Sequence, residues 1–262
     1  MNRRRLFLST LGSALAVLIA ICAPARAKEW REVRIASEGA RPPWNFLDAN
    51  GELAGFEIDL GQELCQRAKV TCVFVAQDWD GLVPNLVEGR YDAIMAAMEI
   101  TDARLQTMDF SKPYARMPNA FVVSRQGELR DPAPAGMKGQ SIGVEADGPH
   151  QAFLENVYPD STVRAYASLE EGILDLAEGR VDSVFGDKDA VMDFMTNRRE
   201  AKCCRVLDDV KRDPAFFGEG IGIGLRQSDQ DLKELFNKAL DEVLVDGAFE
   251  RIRTKYFGFE IR

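Results

Sequence analysis

The sequence predicts an α/β protein built of two similar lobes, and three observations carry that expectation. Strand-like and helix-like signals alternate along the chain, the pattern of layered α/β architecture with mainly parallel strands. A nine-residue segment, Leu86-Val87-Glu88-Gly89-Arg90-Tyr91-Asp92-Ala93-Ile94, recurs as Leu176-Ala177-Glu178-Gly179-Arg180-Val181-Asp182-Ser183-Val184. Extended segments from Pro113 to Val123 and from Lys211 to Gly224 lie where a two-lobed chain would cross between its halves.

At the N-terminus, Arg3, Arg4 and Arg5 precede an apolar run from Leu6 to Cys22 that ends in Ala25-Arg26-Ala27. This is the pattern of a cleaved secretory signal peptide over 1–27. Ser9, Thr10, Gly12 and Ser13 interrupt the run, so its strongly apolar part is short for a membrane span. Cys22 follows Ile21 rather than a small residue, which argues against a lipid anchor and for a soluble, periplasmic mature protein. Arg4-Arg5-Leu6-Phe7-Leu8 also resembles a twin-arginine signal, but basic residues occur in all export signals and the general route is the expectation.

Four arginines and no acids leave with residues 1–27, so 33 basic residues become 29 against 42 acidic ones, and the formal charge of −9 becomes −13. Such a balance excludes nucleic acid as a partner. A hydrophobic content of 46% is ordinary for a globular chain, and no later apolar run has the length of a membrane span. The remaining chain suffices for one large core or two modest ones.

In order along the chain, Ile58 to Ala68 has helical periodicity, and Val73-Phe74-Val75, Ser141-Ile142-Gly143-Val144 and Val163 to Tyr166 read as strands. Each nonamer reads as a helix ending at a glycine suited to the left-handed cap conformation, followed by a turn and an apolar strand. Ser228 with Asp231 suggests a capping box ahead of an apolar face running from Leu232 to Leu244 and closed by Gly247. That helix is expected to pack on the first lobe. The resulting organisation is a signal peptide at 1–27, lobe one at 28–116, lobe two at 117–212, and a return crossing with the rest of lobe one at 213–262.

Cys65 and Cys72 are seven apart, and export makes a disulfide between them reasonable. It would staple a short loop worth roughly 2–3 kcal/mol. Adjacent Cys203 and Cys204 strain a mutual disulfide, which leaves their state open. His150 is the single histidine, and no nucleophile elbow, phosphate loop or paired metal-ligand spacing accompanies it. Acids at this density read as solvated surface. A non-enzymatic protein without cofactor or metal is therefore expected. Ligands of α/β folds bind at the carboxyl ends of strands, and pockets favour domain interfaces, so the cleft between the lobes is the expected site.

Seven segments taken together resemble the family 3 extracellular solute-binding proteins, over Val33 to Phe257. They are Pro43-Trp44-Asn45-Phe46, Gly55-Phe56-Glu57-Ile58-Asp59-Leu60, Trp79-Asp80-Gly81, Tyr91-Asp92-Ala93-Ile94-Met95, Ile100-Thr101-Asp102-Ala103-Arg104, Phe110-Ser111-Lys112-Pro113-Tyr114 and Gly222-Ile223-Gly224-Leu225-Arg226. The resemblance implies a periplasmic-binding-protein-like fold, with two α/β lobes joined by a two-strand hinge and a ligand cleft between them. It implies a monomer that captures an arginine-, lysine-, ornithine- or histidine-like amino acid, or an opine, and passes it to the membrane permease subunits of an ABC importer. Two other uses of the fold are a cyclohexadienyl-dehydratase-like enzyme and a sensory partner of a receptor. The Cys65 and Cys72 pair matches a disulfide of the lysine/arginine/ornithine and histidine branch.

Position by position, the resemblance puts Arg104 at the arginine that grips the ligand α-carboxylate. A guanidinium fork suits a carboxylate, and Thr101 opening a helix would add N–H donors. Asp187 matches the second-lobe acid that receives the α-ammonium, although alone it also reads as a loop or helix N-cap aspartate. Glu99 stands where relatives often carry Ser, Thr or Asp; it either shares the ammonium or pairs internally with Arg104. Trp79 matches an aromatic that stacks on the ligand side chain, while alone it also reads as core. Glu38 matches an acid near the distal end of a cationic ligand, and Glu145 could add a negative group from the other lobe. Beyond Glu145 the loop runs to Gly148, Pro149 and His150, where Pro149 replaces a donor residue and has no N–H of its own. Ala96 and Ala97 occupy positions where the family offers backbone carbonyls or small hydroxyls, and their lack of hydroxyls resembles the opine branch more than the lysine/arginine branch. Arg41 stands where an aromatic wall is usual, and either pairs with Glu38 or binds an extra ligand carboxylate.

Overall fold

The computed structural model describes residues 29–262, apart from the side chains of residues 208 and 209; the expected signal peptide, with Cys22, lies outside the described residues. Chain order begins with β1 (Glu32–Ser37), β2 (Ala40–Arg41), β3 (Asn45–Leu47), β4 (Leu53–Ala54), α1 (Phe56–Ala68), β5 (Thr71–Ala76), α2 (Trp79–Val87), β6 (Ala93–Ile94), α3 (Asp102–Leu105) and β7 (Asp109–Phe110). After a crossing come β8 (Asn119–Ser124), β9 (Ser141–Glu145), α4 (Pro149–Val157), β10 (Thr162–Tyr166), α5 (Leu169–Ala177), β11 (Ser183–Asp187), α6 (Lys188–Asn197) and β12 (Cys204–Val210). The chain returns through α7 (Pro214–Phe217) to β13 (Gly224–Leu225), α8 (Gln230–Val245) and α9 (Ala248–Tyr256).

The two larger sheets have the strand orders β5-β1-β6-β13-β7 and β10-β9-β11-β8-β12, and β2-β3-β4 form a small third sheet. In the first, β1 runs parallel to β5 and β6; in the second, β9 runs parallel to β10 and β11. The next strand over, β13 or β8, is antiparallel in each case. Both lobes therefore repeat one βαβ plan, as the alternating signals predict. The outgoing crossing is shorter than the sequence suggests, because Asn119 already pairs in β8.

The nonamer marks the repeated unit down to its hydrogen bonds. α2 ends at Val87 and α5 at Ala177; Gly89 and Gly179 then sit at φ +76° and +73°, where a Cβ would be strained. Asp92 and Asp182 next turn their carboxylates back to accept the N–H groups of Arg34 at 3.0 Å and Ser141 at 2.7 Å, beside the starts of β1 and β9. The strands that follow, β6 and β11, occupy equivalent places beside β1 and β9.

One core surrounds Trp44, Phe56 and Phe249 in the first lobe, and another surrounds Phe121, Phe153 and Phe185 in the second. α8 packs on the first core through Leu232, Phe236, Ala239, Leu240 and Val243. The expected capping box does not form. α8 starts at Gln230 with Asp229 as N-cap, so Ser228 lies one residue too early and bonds the Asp229 carboxylate instead. Gln230 and Lys233 fix this helix start by binding Asp109 at 2.8 and 2.7 Å. Gly247 serves as the N-cap of α9, one residue beyond the cap of α8.

Cys65 and Cys72 are bonded, with Cα atoms 6.1 Å apart, tying the end of α1 to β5. Replacing both with alanine should lower the unfolding free energy by roughly 2–3 kcal/mol. Denaturant titration of the two forms checks this, and an unchanged midpoint would refute it. Cys203 and Cys204, left open by the sequence, are bonded to each other, with Cys204 buried in the second lobe.

Candidate functional site

The carboxyl ends of β1 and β6 in lobe one face the ends of β9 and β11 in lobe two through a set of charged side chains. On the first lobe, the Arg104 guanidinium donates to the Glu99 carbonyl at 2.7 Å and lies 5.6 Å from the Trp79 ring centroid. Trp79 opens α2 and is 38% exposed, so it is a surface-facing platform and not a core residue. Burial pulls the Arg104 guanidinium down from its ordinary range, and Glu99 opposes this. α3 is only four residues long, and the Thr101 hydroxyl accepts the Arg104 N–H at 3.4 Å. Of the donors expected from that helix start, the Arg104 N–H is the one taken up by the Thr101 side chain.

Asp187 ends β11 and is the N-cap of α6, yet its carboxylate makes no capping hydrogen bond. It lies 3.3 Å from His150 Nε2 and 3.7 Å from Arg41 Nη2. His150 Nε2 is also 3.1 Å from Asn119 Oδ1; two acceptors around one nitrogen assign the hydrogen to Nε2. Burial pushes the Asp187 carboxyl up, but His150, Arg41 and Arg212 outweigh it and hold the group below the ordinary carboxylate range.

Arg41 departs from the internal pairing with Glu38 that the sequence offered as one of its two alternatives. Its ion pairs cross the cleft to Asp187 and Asp189, the latter at 3.8 Å, rather than running to Glu38. Trp44 Nε1 donates to the same Asp189 carboxylate at 2.8 Å. Burial and the neighbouring Asp187 push the Asp189 carboxyl up, against Arg41 and Trp44. The internal pairing of Glu99 with Arg104 is not formed by its side chain: the carboxylate pairs with Arg212 at 2.8 Å, and only the backbone meets Arg104. Burial raises the Glu99 carboxyl, Arg212 lowers it, and Asp187 facing it raises it again.

The remaining candidates line the same strand ends. Glu38 follows β1 half-buried, while Glu145 ends β9 exposed; neither enters the ion-pair chain just described. Gly148 caps α4, and Pro149 is its first residue. Ala96 and Ala97 are buried after β6, with Ala97 at φ +49°. Its N–H donates at 2.7 Å to Glu57, a fully buried carboxylate that also accepts from Asn45 at 2.7 Å and from the Tyr114 hydroxyl. Glu57, Asp189 and Arg212 were not marked as site residues by the sequence. Glu57 lies in a quoted motif, and Arg212 in an expected crossing, but neither position reveals its partners. Among the described residues, no group of three or more His, Cys, Asp or Glu is placed to hold a metal ion.

Two lobes of one βαβ plan, joined by two crossings over a cleft of opposed charges, define a two-lobed ligand-binding protein of the periplasmic-binding type. The chain belongs to the bacterial extracellular solute-binding proteins, family 3, whose profile matches residues 33–259. It is 36% identical over 233 residues to the L-arginine-binding protein of Pseudomonas aeruginosa, covering 88% of this chain and 90% of that one. Identity to the octopine-binding periplasmic protein of Rhizobium meliloti is 36% over 247 residues, covering 84% and 82%. A solved structure of a periplasmic His/Glu/Gln/Arg/opine family-binding protein from Silicibacter pomeroyi in complex with lysine matches with a TM-score of 0.62 and 34% identity, over 88% of this chain and 99% of that one. All three are named as binding proteins and not as enzymes.

Proposed function

We propose that the protein is exported by its signal peptide and captures a polar or cationic amino acid, or an opine, in the periplasm for delivery to an ABC importer. One observation carries this reading: a guanidinium, Arg104, and a carboxylate, Asp187, stand free of structural capping duty on opposite lobes, each held by further polar or aromatic groups. A zwitterion offers the complementary pair, its α-carboxylate for Arg104 and its α-ammonium for Asp187. Trp79 supplies a face for the side chain, and Glu38 and Glu145 supply negative charge for a cationic tail. Arg41 suits a second ligand carboxylate, as an opine carries. The names of the relatives, which include arginine and octopine binders, support the same range.

In this reading lobe one, with segments 28–116 and 213–262, docks the ligand, and lobe two, 117–212, closes on it. The ligand favours the closed form only through contacts made there. About 5.5 kcal/mol of such contacts converts a population of 1:99 into 99:1. The closed form is then the shape the permease subunits recognise.

The mature protein should run as a monomer in light scattering, and one member of a panel of arginine, ornithine, lysine, histidine, octopine and nopaline should raise its melting temperature in a concentration-dependent way. Folded, ligand-stripped protein that responds to no panel member would sink the reading.

A further inference from the structure

Arg212 follows β12 at the start of the return crossing, and its side chain touches both crossings. Nη1 donates to the Met117 carbonyl of the outgoing crossing at 2.9 Å, and Nη2 donates to the Phe217 carbonyl of the return crossing. The guanidinium lies 5.3 Å from the Phe217 ring centroid, and Nη2 reaches the Glu99 carboxylate at 2.8 Å. The two side chains retain 11% and 28% exposure, so water screens the pair only in part. Glu99 belongs to lobe one: its backbone bridges Ile221 and accepts from Arg104. Met117 packs in the core of that same first lobe and Phe217 in the core of the second, so rotation of the lobes shifts Phe217 relative to Met117 and Glu99, and one planar fork cannot follow all three acceptors at once.

We propose that Arg212 is the hinge-borne counter-ion of Glu99, so that a single ion pair ties the charge of the cleft to the angle between the lobes. The pair is incompletely satisfied where it stands. Glu99 Oε2 and Arg212 Nε are both buried without a hydrogen-bond partner in the protein. Such atoms are costly, so a different lobe angle, or an added donor in the cleft, has something to gain by satisfying them. The charges facing Glu99 are Arg212 from the return crossing, Asp187 from β11, Arg41 from β2 and Arg104 from α3, with the Tyr114 hydroxyl from the outgoing crossing. Of these, Arg212 acts most strongly to keep Glu99 ionised, and Asp187 opposes it from the other lobe. An ionised Glu99 holds the hinge through Arg212 and adds a second carboxylate beside Asp187 for a cationic nitrogen. A protonated Glu99 does neither.

The inference rests on the cleft being the ligand site, but its test uses ligand-free protein, so a failed ligand screen and a failed hinge pair remain distinguishable. The Glu99 side-chain carboxyl is followed by carbon-13 NMR against pH, with Glu99→Gln assigning the signal, and lobe geometry is followed by small-angle X-ray scattering. Arg212→Gln should raise the proton affinity of Glu99 by about tenfold or more, whereas Arg212→Lys should keep it near the parent value. Arg212→Gln and Glu99→Gln should each change the scattering profile at neutral pH, and the double variant should change it no further. An unmoved Glu99 midpoint in folded Arg212→Gln, or scattering changes that add in the double variant, overturns the proposal. If Arg212→Gln does not fold, Glu99→Gln decides alone: it keeps the shape and removes the charge, and an unchanged profile overturns the proposal.

Discussion

Arg104→Ala should weaken binding of the amino acid or opine by about a hundredfold or more, with the fold intact. A charge-assisted hydrogen bond contributes about 1.5–3 kcal/mol, and the variant also leaves a ligand carboxylate without its partner in a closing cleft. Arg104 rests on Trp79 and on one backbone carbonyl, and Glu99 keeps Arg212 as its counter-ion when Arg104 is removed, so the change costs little stability. Asp187→Ala should weaken binding as well, largely as faster release, because a second-lobe contact forms after docking. Its effect has a second source in this protein, since Arg41 and His150 lose their shared acceptor. Were either residue an ordinary surface group, affinity would stay within a factor of about two. Calorimetric titration of the folded variants separates the outcomes, and near-normal affinity in Arg104→Ala removes the proposed site.

The chain declares its lobes through local chemistry. Helix periodicity over Ile58 to Ala68, the strands at Val73 and Ser141, and the two left-handed glycines are each set by neighbours in sequence, so they can be read there. The start of α8 could not, because tertiary partners decide it: Asp109, far away in sequence, binds Gln230 and Lys233 and outweighs the Ser228 and Asp231 pattern.

The same division runs through the site. Arg104 and Trp79 sit in short motifs and Asp187 at a position the resemblance marks, and the structure places them at strand ends and helix starts on the two lobes. Ion-pair partners are not local properties. Arg41 finds Asp187 and Asp189 across the cleft, and Glu99 finds Arg212 in the return crossing, because lobe packing brings distant segments together.

Glu57 is the clearest residue of that hidden kind, and Glu57→Ala should cost about 3 kcal/mol or more of stability. Three donors end on its fully buried carboxylate: the Tyr114 hydroxyl, the Asn45 amide and the Ala97 N–H. Alanine would strand all three, and each orphaned buried donor costs about 1–3 kcal/mol. Two stretches beside the cleft would lose support together. Ala97 keeps a positive φ while donating to Glu57, and Asn45, held by Glu57, in turn accepts the Gly39 N–H at 2.8 Å next to Glu38. Burial raises the Glu57 carboxyl, with its three donors pulling it back down. A folded value above the unfolded one means that this group favours the folded state most at acid pH. That contribution shrinks as pH rises from the ordinary glutamate value through the raised one. Glu57→Gln removes this titration but presents an amide NH2 to one of the three donors, so it too should destabilise, by less than alanine does. Tyr114→Phe deletes a donor together with its need and should cost least of the three. Urea titrations at neutral pH rank these variants, and a Glu57→Gln protein more stable than the parent would show that the carboxylate is a buried liability instead of the acceptor that sets the cleft loops.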